Sequence, residues 1–353
     1  MKKENQLPTD GIATVRPTTK DLAKAAGVSR ATVDRVLNGR DGVQKKTVEK
    51  VNAAILKLGF VRNIAAANLA KSRTYRFLFA LPKSGDQFLN EIHKHISEAG
   101  TVFSADMIAT TVSHLNENDP HEIAAFLGTL SPATVDGVAI MAPETPQVRD
   151  AILRLKERGV HTLPFISNQT LTGDHWVGVD NTAAGATAGT LLGRFLTRQP
   201  GKLLVIADSI QSRDNLERRS GFDAVINASF PQLYALPSLE TYGAKERAEH
   251  IIATAFQLHE NIAGIYILSS EARVPLSIIR QMPAAQSAVI IAHERTPATV
   301  EALEDGTLDA VITQDPGHLV RSAIRKLRAL TDKLMTLQSQ EKIRVEILLK
   351  TNL

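Results

Sequence analysis

Ser29, Arg30, Ala31, Thr32 and Arg35 crowd into one short run, and together they hold the side chains suited to a nucleic-acid duplex. An arginine forks onto guanine edges, a small residue meets a thymine methyl, and a hydroxyl holds phosphate. Elsewhere the reactive side chains do not assemble into a catalytic set. His93 and His95 lie two apart on a predicted helix and face apart. His121-Glu122 and His293-Glu294 are pairs without further ligands. There is no cysteine, so no thiolate can bind metal or attack a substrate. The first apolar strand runs into ALPKSGDQF rather than a GxGxxG turn, and GxxxxGK[ST], GxSxG and HExxH are all missing. These patterns predict no enzyme, no metal and no cofactor.

The elements that must carry Arg30 and its neighbours are three short helices. Thr18 and Asp21 have the capping-box spacing before Leu22, Ala23 and Ala26, and Gly27 ends that helix. Ser29 caps a second helix through Leu37, closed by Asn38 and Gly39. Val48, Val51, Ile55 and Leu58 line one face of a third, closed by Gly59. Two helices joined by a Gly-containing turn, backed by a third, form a helix-turn-helix that leaves the second helix's outer face open for a major groove. Charge agrees. Residues 1–76 hold 16 basic and 6 acidic residues, whereas the remainder holds 25 and 31. A basic head on a mildly acidic body is the electrostatic footprint of a DNA-binding module attached to something else.

The run TTKDLAKAAGVSRATVDRVLNG, followed by KLGFVRNIAAANLA, resembles the headpiece and hinge of the lac repressor family of bacterial regulators. The resemblance is dense over residues 17–73. It implies that Arg30 and Ala31 read operator bases beside Arg35, with Thr18, Ser29, Thr32 and Asn38 around them. It also implies a hinge helix from Asn63 through Ala66 to Ala70, lying in the minor groove, with Leu69 wedged between central base pairs. A core leucine is the plainer reading of Leu69, but its neighbours Asn68, Lys71 and Arg73 are polar or basic. Asp34 departs from the family, which usually has serine there, and an acid beside phosphate repels DNA unless Arg30 one turn earlier pairs with it.

From Phe77 onward, short β-rich apolar runs alternate with helical stretches. Strands are predicted to begin at Phe77, Phe103, Val135, Val160, Val177, Leu203, Ile262, Ala288 and Leu308, with a last one in IRVEILL. Strands buried on both faces with helices between them indicate doubly wound parallel sheets, and nine or more suggest two lobes. Ser84, Asp86, Asn168, Ser269, Ser270, Glu294, Gln314 and Asp315 gather just after strand ends, where this architecture binds ligands. Gly185, Gly189 and Gly193 recur every four residues among alanines and read as a close-packed helix face.

The body is similar to the family's effector domains, which look like periplasmic sugar-binding proteins with two α/β lobes joined by three crossovers. That resemblance implies ligand contacts from Asp86, Phe88, Asn168, Arg218, Ser269, Glu294 and Gln314, with Phe88 stacking on a sugar face. A surface arginine in a charged helix is the plainer reading of Arg218, and His293 or Arg295 could instead pair with Glu294. The fold expected is an all-α helix-turn-helix headpiece on a periplasmic-binding-protein-like body of two doubly wound parallel-sheet lobes. Its expected divisions are a disordered tail over 1–16, a DNA-binding domain over 17–62 and a hinge helix and linker over 63–74. The effector body follows over 75–353, with one lobe about 75–175 and 315–343 and the other about 176–314 and 344–353.

The function expected is a ligand-responsive regulator, a homodimer on pseudo-palindromic double-stranded operator DNA. Its small-molecule effector would be a sugar or polyol acting as inducer, or alternatively a purine-like metabolite acting as corepressor. MKKENQLPTDG lacks a secretory apolar stretch and no run approaches ~20 apolar residues. A cytoplasmic protein without membrane contact is therefore expected, rather than a transporter's solute-binding component. An architectural DNA binder would not need so long a second part.

Overall fold

The computed structural model describes residues 17–37, 42–60, 74–83, 86–169, 176–196 and 200–353. They fall into two compact units, divided between Arg73 and Thr74. The expected tail over 1–16, Asn38, and the hinge residues Asn63, Ala66 and Leu69 lie outside the described residues.

In the first unit, α1 (Thr19–Ala26), α2 (Arg30–Leu37) and α3 (Lys45–Leu58) surround a small core in which Leu22, Val33 and Val51 are fully buried. The capping box closes both ways, with Thr18 N donating to Asp21 Oδ2 at 2.9 Å and Asp21 N donating to Thr18 Oγ1 at 3.3 Å. Hydrogen bonds from Thr18 hold the Asp21 carboxyl below its usual pKa. Gly27 adopts φ 64°, a left-handed cap that lets the chain turn into α2.

The second unit contains two sheets. β1 (Tyr75–Pro82), β2 (Ile108–Leu115), β3 (Gly137–Ile140) and β4 (His161–Pro164) form a parallel sheet in the order β2-β1-β3-β4. The second sheet runs β11-β10-β9-β8-β5-β6, from β5 (Gly201–Ala207), β6 (Leu233–Ala235), β8 (Ile262–Ile267), β9 (Val289–His293), β10 (Ala310–Thr313) and β11 (Glu346–Leu348). The short β7 (Leu239–Glu240) also pairs with β5, and β11 joins antiparallel to β10. β1 is buried along nearly its whole length because helices cover both faces of its sheet, which is why its sequence is almost continuously apolar.

The chain passes between the sheets three times. It leaves β4 for β5, returns after β10, and crosses again to reach β11. On the return, Leu319, Val320, Ala323, Ile324 and Leu327 of the helix Pro316–Asp332 insert into the core beneath β1. The Tyr75 hydroxyl donates to both Asp332 carboxylate oxygens, at 2.6 and 2.8 Å, tying the first residue of β1 to the end of that helix. Before the last crossing, Arg325 grips buried Glu341 at 2.7 and 2.9 Å, a bidentate pair that fixes orientation as well as position.

Two strand expectations are corrected. Phe103 ends the helix α4 (Gln87–Phe103), and the strand begins at Ile108. Ile92, Ile96, Ala99 and Phe103 continue one helical stripe against the core, and that burial overrides the weak local propensity at Gly100. Val177 forms only an isolated bridge to Phe165 rather than a strand.

Candidate functional site

On the helix-turn-helix, Ser29 Oγ accepts from Thr32 N at 3.1 Å and lies 2.9 Å from Thr32 Oγ1. These two hydroxyls thus start α2, and they hold its first turn in place. Val33 faces the core, while Ser29, Arg30, Ala31, Asp34 and Arg35 are exposed. Both arginines are therefore exposed on α2, five residues apart, with Asp34 one helical turn after Arg30. Thr18 is exposed, and its hydroxyl caps α1.

In the body, the carboxyl ends of strands from both sheets converge. Asp86, just past β1, caps α4 by accepting from Phe88 N at 2.7 Å. Its other oxygen accepts from Ser270 Oγ at 2.6 Å, beyond the end of β8 in the other sheet. Ser167, beyond β4, donates to Asp214 Oδ2 at 2.6 Å, and Arg213 donates to Glu144 Oε2 at 2.5 Å. Each of these three contacts joins the first lobe to the second.

Beneath them lies a buried ion pair. Arg218, on the helix Arg213–Ser229, donates from Nε to Asn181 Oδ1 at 2.8 Å, from Nη1 to Leu268 O at 3.0 Å and from Nη2 to Glu294 Oε1 at 3.0 Å. Gln314 Nε2 adds a 3.1 Å bond to the same Glu294 oxygen. Arg218 is 4% exposed and Glu294 1%. A surface role for Arg218 is thus replaced by a buried one. His293 does not take Glu294: its Nε2 lies 2.7 Å from the buried Tyr266 hydroxyl, and Arg295 points to the exposed side.

Burial pushes the carboxyls of Asp86, Asp214 and Glu294 above their usual range, while Arg218 pulls each of them back down. Burial and the same guanidinium hold His293 well below an ordinary imidazole, so the ring is neutral. Glu294 also adopts φ 61°, a left-handed conformation that costs a non-glycine residue roughly 1–2 kcal/mol. Its N donates to Ile312 O at 2.8 Å and its O accepts from Thr299 Oγ1 at 2.8 Å, which hold it there.

Of the expected ligand residues, the structure brings Asp86, Arg218, Glu294 and Gln314 into one cluster, with Ser269 beside it through Asp208. Asn168 lies past β4, where its Oδ1 accepts from Gln169 N at 2.8 Å. Phe88 is corrected: it is 2% exposed and packs with Leu81, Ile92 and other residues of the first lobe's core. Several cleft residues were missed. Asp208 closes the run LLVIAD, so the strand-end rule that found Asn168 would have found it too. It accepts from Ser269 Oγ at 2.5 Å and Asn215 Nδ2 at 2.6 Å. Asn181, Asp214 and Asn215 lie inside helices and carry no such signal.

Among the described residues no grouping of three or more His, Asp or Glu side chains could hold a metal ion, and no helix is long and apolar enough to cross a membrane.

Residues 18–63 match the model of bacterial regulatory proteins of the lacI family, and residues 77–334 match a periplasmic binding protein domain. The chain is 28% identical over 264 residues to the HTH-type transcriptional regulator RegA of Clostridium saccharobutylicum, covering 71% of this chain and 74% of that one. It is 29% identical over 136 residues to catabolite control protein A of Staphylococcus xylosus, covering 38% of this chain and 40% of that protein. A crystal structure of an ABC transporter solute-binding protein from Burkholderia graminis, in complex with D-arabinose, superposes with a TM-score of 0.68. That match is 20% identical and covers 79% of this chain and 96% of that one, so it speaks for the fold alone. The sequence matches and the two-sheet body agree: the chain belongs to the lacI family, a ligand-responsive transcriptional regulator with a helix-turn-helix ahead of a periplasmic-binding-protein-like body.

Proposed function

We propose that this regulator is a repressor that binds pseudo-palindromic operator DNA as a homodimer and releases it when a sugar or polyol occupies the cleft. The observation that carries this reading is the meeting of polar strand ends from both lobes around Arg218 and Glu294. A ligand that hydrogen-bonds to both sides has a different affinity for open and closed lobes, and that difference is what shifts an equilibrium. In this reading the chain works in the cytoplasm as a regulator rather than an enzyme. Residues 17–62 form the DNA-binding domain, 63–74 the hinge, and 75–353 the effector and dimerisation body. Asn63, Ala66 and Leu69 act in the minor groove, with Leu69 as the wedge.

The test uses the full chain on a duplex selected from a random library, followed by fluorescence anisotropy. A member of a sugar and polyol panel is expected to weaken operator binding at least tenfold, and binding indifferent to every panel member overturns the inducer reading. One α2 residue can be tested on the same duplex. Arg30→Ala should cost about 1–3 kcal/mol at a single operator position. An unchanged base preference across operator variants would remove Arg30 from base reading.

A further inference from the structure

Two buried side-chain atoms of the cleft cluster lack a hydrogen-bond partner among the described residues: Asp214 Oδ1 and Gln314 Oε1. Both are acceptors. The orientation of Gln314 is set by charge, since its Nε2 faces the Glu294 carboxylate and a flipped amide would set oxygen against oxygen. The open demand in the cleft is therefore for donors.

Charge says more. Asp86, Asp214 and Glu294 share the guanidinium of Arg218, and Asp208 adds a fourth carboxylate beside Asp86. All three nitrogens of that guanidinium already donate to the protein. Arg213, next in the chain to Asp214, is shared by Glu144 and Glu217 at 2.5 and 2.6 Å. Burial raises the pKa of Asp86, Asp214 and Glu294 even with Arg218 opposing it. A phosphate or carboxylate ligand would bring acceptors where donors are wanted, and negative charge where it is already in excess. A hydroxyl meets the demand for a donor but leaves the charge. An ammonium group meets both.

Resting on the reading of this cleft as the effector site, we propose that the effector is a polyhydroxylated compound bearing a protonated amine, and that the cleft rejects anionic metabolites. The test is thermal unfolding of the full chain at pH 7 and low salt, with matched sets as probes. Glucose, galactose and mannose are each compared with the 2-amino sugar and the 6-phosphate, and inositol with an aminodeoxyinositol. At least one amine is expected to raise Tm by several degrees, to bind with an apparent Kd at least tenfold lower than its neutral counterpart's, and to lose that advantage in Asp214→Asn. The same variant, free of ligand, should melt higher than wild type, because it sheds a buried charge that Ser167 and Arg218 only partly offset. Stabilisation by a neutral or phosphorylated member equal to its amine overturns the proposal, as does stabilisation by no amine. Operator release by a neutral sugar would do so while leaving the proposed function standing. An Asp214→Asn protein no more stable than wild type would show that carboxylate to be satisfied by the fold, and would overturn the charge argument.

Discussion

Arg218→Ala is expected to destabilise the body by about 3–5 kcal/mol, the usual loss when one partner of a buried ion pair is removed. The reason is what stays behind. Glu294 would keep only Gln314 at 3.1 Å and Thr313 at 3.4 Å, and Asn181 Oδ1 and Leu268 O would lose their donor. At about 2–4 °C per kcal/mol for a unit of this size, the fall in Tm is on the order of 10 °C. It should also depend on pH. Glu294 already has a raised pKa through burial, opposed by Arg218, and losing the guanidinium raises it further. A carboxyl with a raised folded pKa favours the folded state at low pH and loses that advantage as pH rises, so the deficit should grow from acid toward neutral pH. Adding Glu294→Gln should recover part of the loss. A variant within 2 °C of wild type, or a deficit flat across pH, would refute the pairing.

Gly185→Ala should be comparably damaging from one added methyl group. A Cβ at Gly185 would sit 1.8 Å from Arg218 O, and one at Gly221 would sit 2.0 Å from Thr182 O. Both obstacles are backbone, so neither can swing aside. The helices Asn181–Phe195 and Arg213–Ser229 must separate. They carry Asn181 and Arg218, so the separation also moves the guanidinium off its acceptors. Overpacking usually costs about 1–3 kcal/mol, and backbone-on-backbone overlap belongs at or above the top of that range. Gly128→Ala is the control: nothing lies within 4 Å of its added Cβ. The helical gain of alanine over glycine there is about 0.5–1 kcal/mol. Thermal unfolding of both variants decides it, and a Gly185→Ala protein as stable as Gly128→Ala would mean that the two helices do not cross this closely.

The two glycines also show what could be read in advance. A period of four among alanines revealed a tight helix face, but not that the partner was the backbone of the arginine at the site. The helix-turn-helix was legible because its rules act within a few residues: Thr18 reaches Asp21, Ser29 reaches Thr32, and Gly27 turns the corner. Strands in the body were legible as apolar runs because parallel sheets bury both faces. Phe103 was misread because an apolar residue after a glycine looks alike in a strand start and in a helix stripe, and the core opposite decides. Pairing at the site was hidden for a different reason. Arg218 and Glu294 are 76 residues apart, and the choice of partner between His293, Arg295 and Arg218 depends on which strand lies beside which helix. Asn181 and Asn215 are ordinary helix residues until two helices converge.

The three passages of the chain between the sheets limit how the body can move. A single tether would let one half swivel and drift against the other, and two would still allow torsion about the line between them. With three, one of them stiffened by Arg325 on Glu341 and another ending in a helix bound to Tyr75, sliding meets more resistance than opening, and the opening angle about the crossings is the coordinate the chain leaves freest. Any molecule held between the halves can then report its presence chiefly by setting that angle, which reduces a varied chemistry at the cleft to one mechanical coordinate.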